Sequence, residues 1–311
     1  MTQRPWSRLQ ANAVLLLAAM IWGSAFVGQV WGMASVGPLS FTALRFALGA
    51  LVVAPLAWWE WRALRAAGTT PGRHHLAWIA LLGSLLCAGV LMQQIGLMST
   101  SVTHAGFLTA LYVPLVPLLA WLLQRQSAHW TVWAAVLCGL AGSFLLTGAG
   151  SWHGLSTGDA WIVASALPWS LHVLLIGQAA NRLHGAFVLA CGQFAVCALL
   201  SGAGAMATES LSLAGLQQAA GAILYTGILS VGLGFTLQVI GQRHTPPAQA
   251  AIILSSETLF AALFGALLMG DRLGTAGLLG CLLILAGIAL VQGLPLLAHL
   301  PWRRRNAAIA P

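Results

Sequence analysis

The chain has 311 residues, 59% of them hydrophobic and only 6% charged, with a mean hydropathy of +0.88. A soluble globular domain carries about 25% charged residues, so these charges are too few to cover a water-exposed surface. The formal charge of +8 rests on arginine alone, and no arginine stripe is interleaved with aromatics, which excludes nucleic acid as a partner. What remains is a polytopic membrane protein.

Apolar windows of about twenty residues, separated by Pro, Gly or charge, predict ten membrane helices. They fall at 11–31, 39–59, 77–97, 104–124, 130–148, 159–178, 186–206, 218–240, 248–269 and 274–295. The first run is too long for a signal-peptide core and lacks a small-residue cleavage site, so it reads as a retained helix. Val36-Gly37-Pro38, Thr69-Thr70-Pro71-Gly72 and Thr245-Pro246-Pro247 are helix stops. Cys87, Cys138, Cys191, Cys197 and Cys281 all sit in apolar runs with no CxxC and no nearby His, and read as small buried hydrophobes.

Arginine placement orients the chain. With the N-terminus inside, Arg4, Arg8, Arg62, Arg65, Arg73, Arg125, Arg182, Arg243 and Arg303 to Arg305 are cytoplasmic, eleven of thirteen. Arg272, Asp159, Glu209 and Asp271 fall on the outer side. Both termini are therefore expected in the cytoplasm, with the protein in the plasma (inner) membrane.

An internal repeat divides the chain into residues 1–150 and 151–311. At an offset of 145, Gln93-Gln94-Ile95-Gly96 lies on Gln238-Val239-Ile240-Gly241, and Leu140-Ala141-Gly142 on Leu285-Ala286-Gly287. Earlier the offset drifts by two or three, placing Trp22 on Trp169 and Arg45-Phe46 on Gln193-Phe194. Each half holds five spans, and five is odd, so the second half must run inverted through the membrane. The expected fold is all-α, ten transmembrane helices in two inverted five-helix repeats, with a site near the midplane between them.

Trp22-Gly23-Ser24, Ala43-Leu44-Arg45-Phe46, Pro114 and Pro117, and Ser256-Glu257-Thr258 followed by Gly270-Asp271-Arg272 together resemble the drug/metabolite transporter superfamily. The likeness is to its EamA-type branch of amino-acid and metabolite exporters and covers about residues 11 to 295. It implies a central cavity, with the fifth and tenth helices at the periphery. Three positions depart from the family pattern. Gln124-Arg125-Gln126 replaces a usual Glu, Asp271 replaces another, and Thr258 stands where Pro commonly follows the mid-helix Glu.

Glu257 is the leading candidate, because a carboxylate in the middle of an apolar span is costly unless it is paired, protonated or facing water. It could bind a substrate ammonium group or exchange a proton; alternatively Ser255, Ser256 and Thr258 hold it structurally. Tyr112 is its repeat partner. Arg45, deep in the second span, suits either a substrate carboxylate or carbonyls of a neighbouring helix. Ser165, Trp169, His172 and Ile176 share one helical stripe, on which Trp169 and His172 could stack an aromatic or cationic substrate. Trp22, Ser24, Met92, Gln93, Gln238 and Ser256 complete the candidate site, against the simpler alternative of helix–helix hydrogen bonding. His104 marks a candidate entrance. Trp58, Trp59, Trp61 and Trp302 read as interfacial belt residues.

No GxGxxG, Walker, HExxH or paired-Asp motif is present, so neither a cofactor nor a metal is expected and the protein is not read as an enzyme. The expected activity is export of small amphipathic metabolites by alternating access. Aromatic or hydrophobic amino acids come first, and cationic or drug-like compounds are the alternative. The partners are a small-molecule substrate and the lipid bilayer; oligomeric state is silent in the sequence, and a monomer is plausible.

Overall fold

The computed structural model describes residues 6–69, 72–100, 102–146, 156–269 and 274–298. The first half forms α1 (Arg8–Met33), α2 (Pro38–Ala66), α3 (Arg73–Leu97), α4 (Val102–Thr109), α5 (Tyr112–Gln124) and α6 (Trp130–Leu146). The second forms α7 (Thr157–Leu183), α8 (Ala186–Thr208), α9 (Leu213–Tyr225), a π-helical stretch (Thr226–Phe235) and α10 (Thr236–Gln242). It continues through α11 (Pro247–Leu254), α12 (Glu257–Phe264), a second π-helical stretch (Gly265–Met269) and α13 (Thr275–Ala298). Eight helical stretches are long and apolar enough to cross a bilayer, and α6 and α13 are the shorter apolar pair that completes ten. Exposed Leu51, Leu122, Leu199 and Trp59 pave the outer surface, as lipid contact requires. The Gly270-Asp271-Arg272 segment, Arg4, Trp302, Arg303 to Arg305 and the His104 side chain lie outside the described residues.

The sequence treats the fourth and ninth spans as continuous, but both are broken, and at equivalent places. In the first half Ala110 N bonds Gly106 O, Leu111 N bonds Leu108 O, and Val113 N bonds Ala110 O. In the second half Ser255 N bonds Ala251 O, Ser256 N bonds Ile253 O, and Thr258 N bonds Ser255 O. Every residue in the second set is 145 beyond its counterpart in the first. The causes differ. Pro114 has no N–H for the carbonyl of Ala110, which ends the helix from the sequence side. At the second break the hydroxyls of Ser255, Ser256 and Thr258 donate to the carbonyls of Ile252, Ile253 and Ser255, supplying partners that the apolar surroundings lack.

The two repeats meet most extensively along α2 and α8, which run antiparallel. Each helix starts after a glycine that offers no side-chain cap, Gly37 and Gly185. The other helix supplies the cap. Glu209, just past the end of α8, accepts from Leu39 N at 2.9 Å and Ser40 N at 2.8 Å. Glu60, near the end of α2, accepts from Ala186 N at 3.1 Å and Val188 N at 2.9 Å. A carboxylate on free helix N-terminal amides gains both hydrogen bonds and the favourable end of the helix dipole. Replacing either Glu by Ala should cost about 1–2 kcal/mol, and the double variant should lose the sum because the clamps lie at opposite ends of the helix pair. Thermal unfolding in detergent reads this out, and a double variant melting like the parent would refute the clamp.

α6 and α13 form a second antiparallel pair, with Gly142 against Gly280 and Ile284, and Gly287 against Ala135 and Cys138. No described side chain of either helix lines the central cavity described next.

Candidate functional site

The repeat register builds the site. Trp22 on α1 donates its indole N–H to the carbonyl of Ser230 at 3.2 Å, and a Cβ on Gly234 would sit 2.7 Å from that nitrogen. Trp169 on α7 lies over Gly89 in the same way, a Cβ there falling 3.0 Å from the ring. Trp22 corresponds to Trp169 and Gly234 to Gly89, so each half rests the Trp of its first span on a bare backbone patch of the other half's third span. One turn beyond each glycine comes an amide, Gln93 or Gln238.

These elements enclose a cavity lined in pseudo-symmetric pairs: Trp22 and Trp169, Phe26 and Val173, Val90 and Phe235, Gln93 and Gln238, Tyr112 and Glu257. Gln29, Arg45, Ser230 and Leu254 complete the lining. The Trp169 and Phe235 rings stack at 6.0 Å with 3° between planes, and Trp22 tilts onto Phe235 at 4.6 Å, giving one aromatic wall. The enclosed space is about 50 Å³. That is room for a few waters, well below the several hundred Å³ of a typical small-molecule pocket.

The Trp and Gln pairs recur in both halves; the ionisable groups occur only where the halves differ. Arg45 corresponds to Gln193, and Glu257 to Tyr112, so the cation comes from the first half and the carboxylate from the second. Both groups are deeply buried, Arg45 at 3% exposure and Glu257 at 7%. Among the described residues no ion pair forms on either. The Arg45 guanidinium lies over the Phe41 and Phe46 rings, at 5.6 and 5.2 Å, and its Nε has no protein partner. Glu257 is the first residue of α12, where the free helix amides favour negative charge. The three neighbouring hydroxyls are spent on backbone carbonyls and none reaches its carboxylate. The other described acids are all held by backbone amides: Glu60 and Glu209 on helix ends, Asp159 on Ser156 N at 2.8 Å. Glu257 alone among them is not. Trp169 Nε1 and Gln238 Oε1 are likewise buried without a protein partner, so donors and an acceptor stand ready at the cavity wall.

Polar contacts close the cavity at both ends. Towards the face opposite the N-terminus, Gln93 Nε2 donates to Thr109 Oγ1 at 2.8 Å, fastening α3 to α4. Towards the N-terminal face, Gln238 Nε2 donates to Gln242 Oε1 at 2.9 Å, and Gln242 Nε2 to the carbonyl of Val173 at 2.8 Å, fastening α10 to α7.

Of the residues singled out from the sequence, Trp22, Arg45, Gln93, Tyr112, Trp169, Gln238 and Glu257 converge on this cavity. Four do not. His172 is fully buried behind Trp169, with Nε2 paired to Gln193 Oε1 at 2.9 Å, because its side of α7 meets α8. Ser256 is buried and bonded to its own helix. Ser24 bonds Ile21 O and the Tyr225 hydroxyl in a separate lateral groove between α1, α9 and α12. Met92 is turned away from the lining, one residue off the Gln93 face. The sequence reading missed Phe26, Val173, Val90 and Phe235, although the repeat could have found them, since each lies one helical turn from a paired Trp or Gln.

Broken helices facing a polar cavity between inverted repeats are an architecture of membrane transporters. The comparisons agree. Residues 9–148 and 156–292 each match the EamA-like transporter family, and the chain belongs to that family. It is 28% identical over 286 residues to an uncharacterized transporter of Archaeoglobus fulgidus, covering 92% of this chain and 86% of the relative. It is 23% identical over 287 residues to the uncharacterized transporter YwfM of Bacillus subtilis, covering 90% and 93%. A solved crystal structure of 22% identity superposes with a TM-score of 0.74 over 94% of this chain and 100% of that one, a likeness of fold. The protein is a membrane transporter.

Proposed function

We propose that the protein exports small zwitterionic metabolites, above all aromatic and hydrophobic amino acids, by alternating access across the inner membrane. The observation that carries this reading is one cavity lined by a buried cation and a buried carboxylate that do not pair with each other. An α-amino acid brings the complement of both, its carboxylate to Arg45 and its ammonium group to Glu257, while the Trp22, Trp169 and Phe235 wall takes an apolar side chain. A solely cationic substrate would satisfy Glu257 and leave Arg45 repelling it. The arginine bias supports placing the N-terminal face in the cytoplasm. The narrow cavity and the contacts at its two ends support a cycle in which one set opens while the other stays closed.

Counterflow in proteoliposomes tests this with a panel of amino acids, their amides and quaternary ammonium ions. Arg45→Gln should raise KM for the amino acid about tenfold or more, the loss of a hydrogen-bonded charge pair, and change KM for the amide little. If quaternary cations compete better than amino acids, or if Arg45→Gln affects acid and amide alike, the zwitterion reading is wrong.

A further inference from the structure

A further pocket, of about 320 Å³, opens at the N-terminal face among α5, α7, α10 and the start of α11. Arg8, Gln124, Asn181, Gln242, Arg243 and His244 line it, and none of its lining residues is acidic. The arginines of this face are not all alike. Arg65 lies on Trp61 and Arg182 on Trp78, as interfacial residues do. Arg8 and Arg243 instead line the vestibule. Arg243 Nε and Gln124 Oε1 are buried without a protein partner. Asn181 Nδ2 is anchored to the carbonyl of Arg243 at 3.0 Å, which fixes the backbone carrying that guanidinium. The carboxylate that acts on Arg243 at longer range, Glu60, is committed to the α8 amides and does not line the space.

The vestibule also has a defined connection inward. Gln242 lines it, Gln238 lines the central cavity, and the two amides are bonded to each other. The contacts of Gln242 with Gln238 and with the carbonyl of Val173 are therefore what lies between a solute in this pocket and the central cavity.

We infer that this vestibule is a binding site for the carboxylate group of a small organic acid or amino acid, the first station on the path to the cavity. The inference rests on the amino-acid reading above for its place in transport, but the chemistry of the site stands on Arg8, Arg243 and the amides. Burial, and then the charge of Arg243, hold the His244 imidazole below its usual range, so it is neutral near pH 7 and the two arginines carry the attraction. A cationic funnel of this kind raises the local anion concentration about tenfold or more. Its link to the cavity through Gln242 points to a soluble anion and not to a lipid headgroup.

The test uses the full-length protein in neutral phosphatidylcholine vesicles with Gln178→Cys, a position on the vestibule wall, labelled by small thiosulfonate reagents. A sulfonate-bearing reagent should react about tenfold faster than its trimethylammonium analogue, after subtraction of the parent's own cysteines. Benzoate should slow labelling while benzamide does not, and Arg8→Gln with Arg243→Gln should abolish both effects. Equal rates for the two reagents, equal protection by benzamide, or indifference to the arginine substitutions overturns the site. Loss of benzoate protection on adding phosphatidylglycerol reassigns it to a lipid headgroup and overturns it too. Labelling requires no transport, so a failure of amino-acid counterflow sinks the zwitterion reading separately.

Discussion

Glu257→Gln is expected to lower transport by about two orders of magnitude and at the same time to raise the melting temperature of the substrate-free protein. Both effects follow from one circumstance. The carboxylate is buried, and among the described residues neither an ion pair nor a neighbouring hydroxyl compensates it. A buried carboxyl group without a side-chain partner works against folding, so the neutral amide stabilises the empty protein. The same carboxyl group is what a substrate ammonium group meets in the cavity. Losing a charge-assisted contact of about 3 kcal/mol corresponds to roughly a hundredfold in affinity. Counterflow and scanning fluorimetry on the same preparation check the pair of outcomes. A variant that transports like the parent removes Glu257 from the site; one that melts lower shows that the carboxylate is a structural tie.

Gly23→Val should have the largest effect on stability, about 3 kcal/mol or more, seen as loss of monodisperse protein in detergent and a markedly lower melting temperature. Gly23 is where α1 crosses α12. A Cβ there would lie 2.5 Å from Phe260 Cβ, 2.7 Å from Ala261 N and 2.7 Å from the carbonyl oxygen of Glu257. Two of these three are backbone atoms of a short helix, which no rotamer change can move aside. The two helices must separate, and α12 carries Glu257 at its first residue. Gly23→Ala should act in the same direction with a smaller effect. If Gly23→Val folds and melts like the parent, the close crossing of α1 and α12 is not as described.

The sequence was most legible where the two halves repeat each other. The ten spans follow from hydropathy alone, because a bilayer demands about twenty apolar residues per crossing whatever lies next to them. The pairing of Gln93 with Gln238 and of Tyr112 with Glu257 follows from the 145-residue register, and all four line one cavity. The helix breaks were only half visible. Pro114 announces the first, whereas the second rests on serine and threonine hydroxyls bonded to nearby carbonyls, a role their presence in an apolar span does not reveal. The reciprocal caps of Glu60 and Glu209 were not visible either, since each acts on a helix more than a hundred residues away.

The faces of α7 mark where sequence reasoning stops. Trp169 and His172 sit close together on one predicted stripe, yet Trp169 borders the cavity and His172 is bonded to Gln193 behind it. A surface helix of a soluble protein has a polar side that tells its core side apart; the outward face of α7 is itself apolar, with Trp161, Val163 and Leu167 exposed, so its periodicity carries no such label. Ser24 is a similar case, next to Gly23 in sequence but facing Tyr225 in the lateral groove. The sequence by itself determined the membrane crossings, the inverted repeat and the presence of one carboxylate that an apolar helix cannot easily hold. Only the tertiary structure decided which face of each helix meets which neighbour. It thereby showed that Glu257 and Arg45, more than two hundred residues apart, border the same cavity and leave each other unpaired.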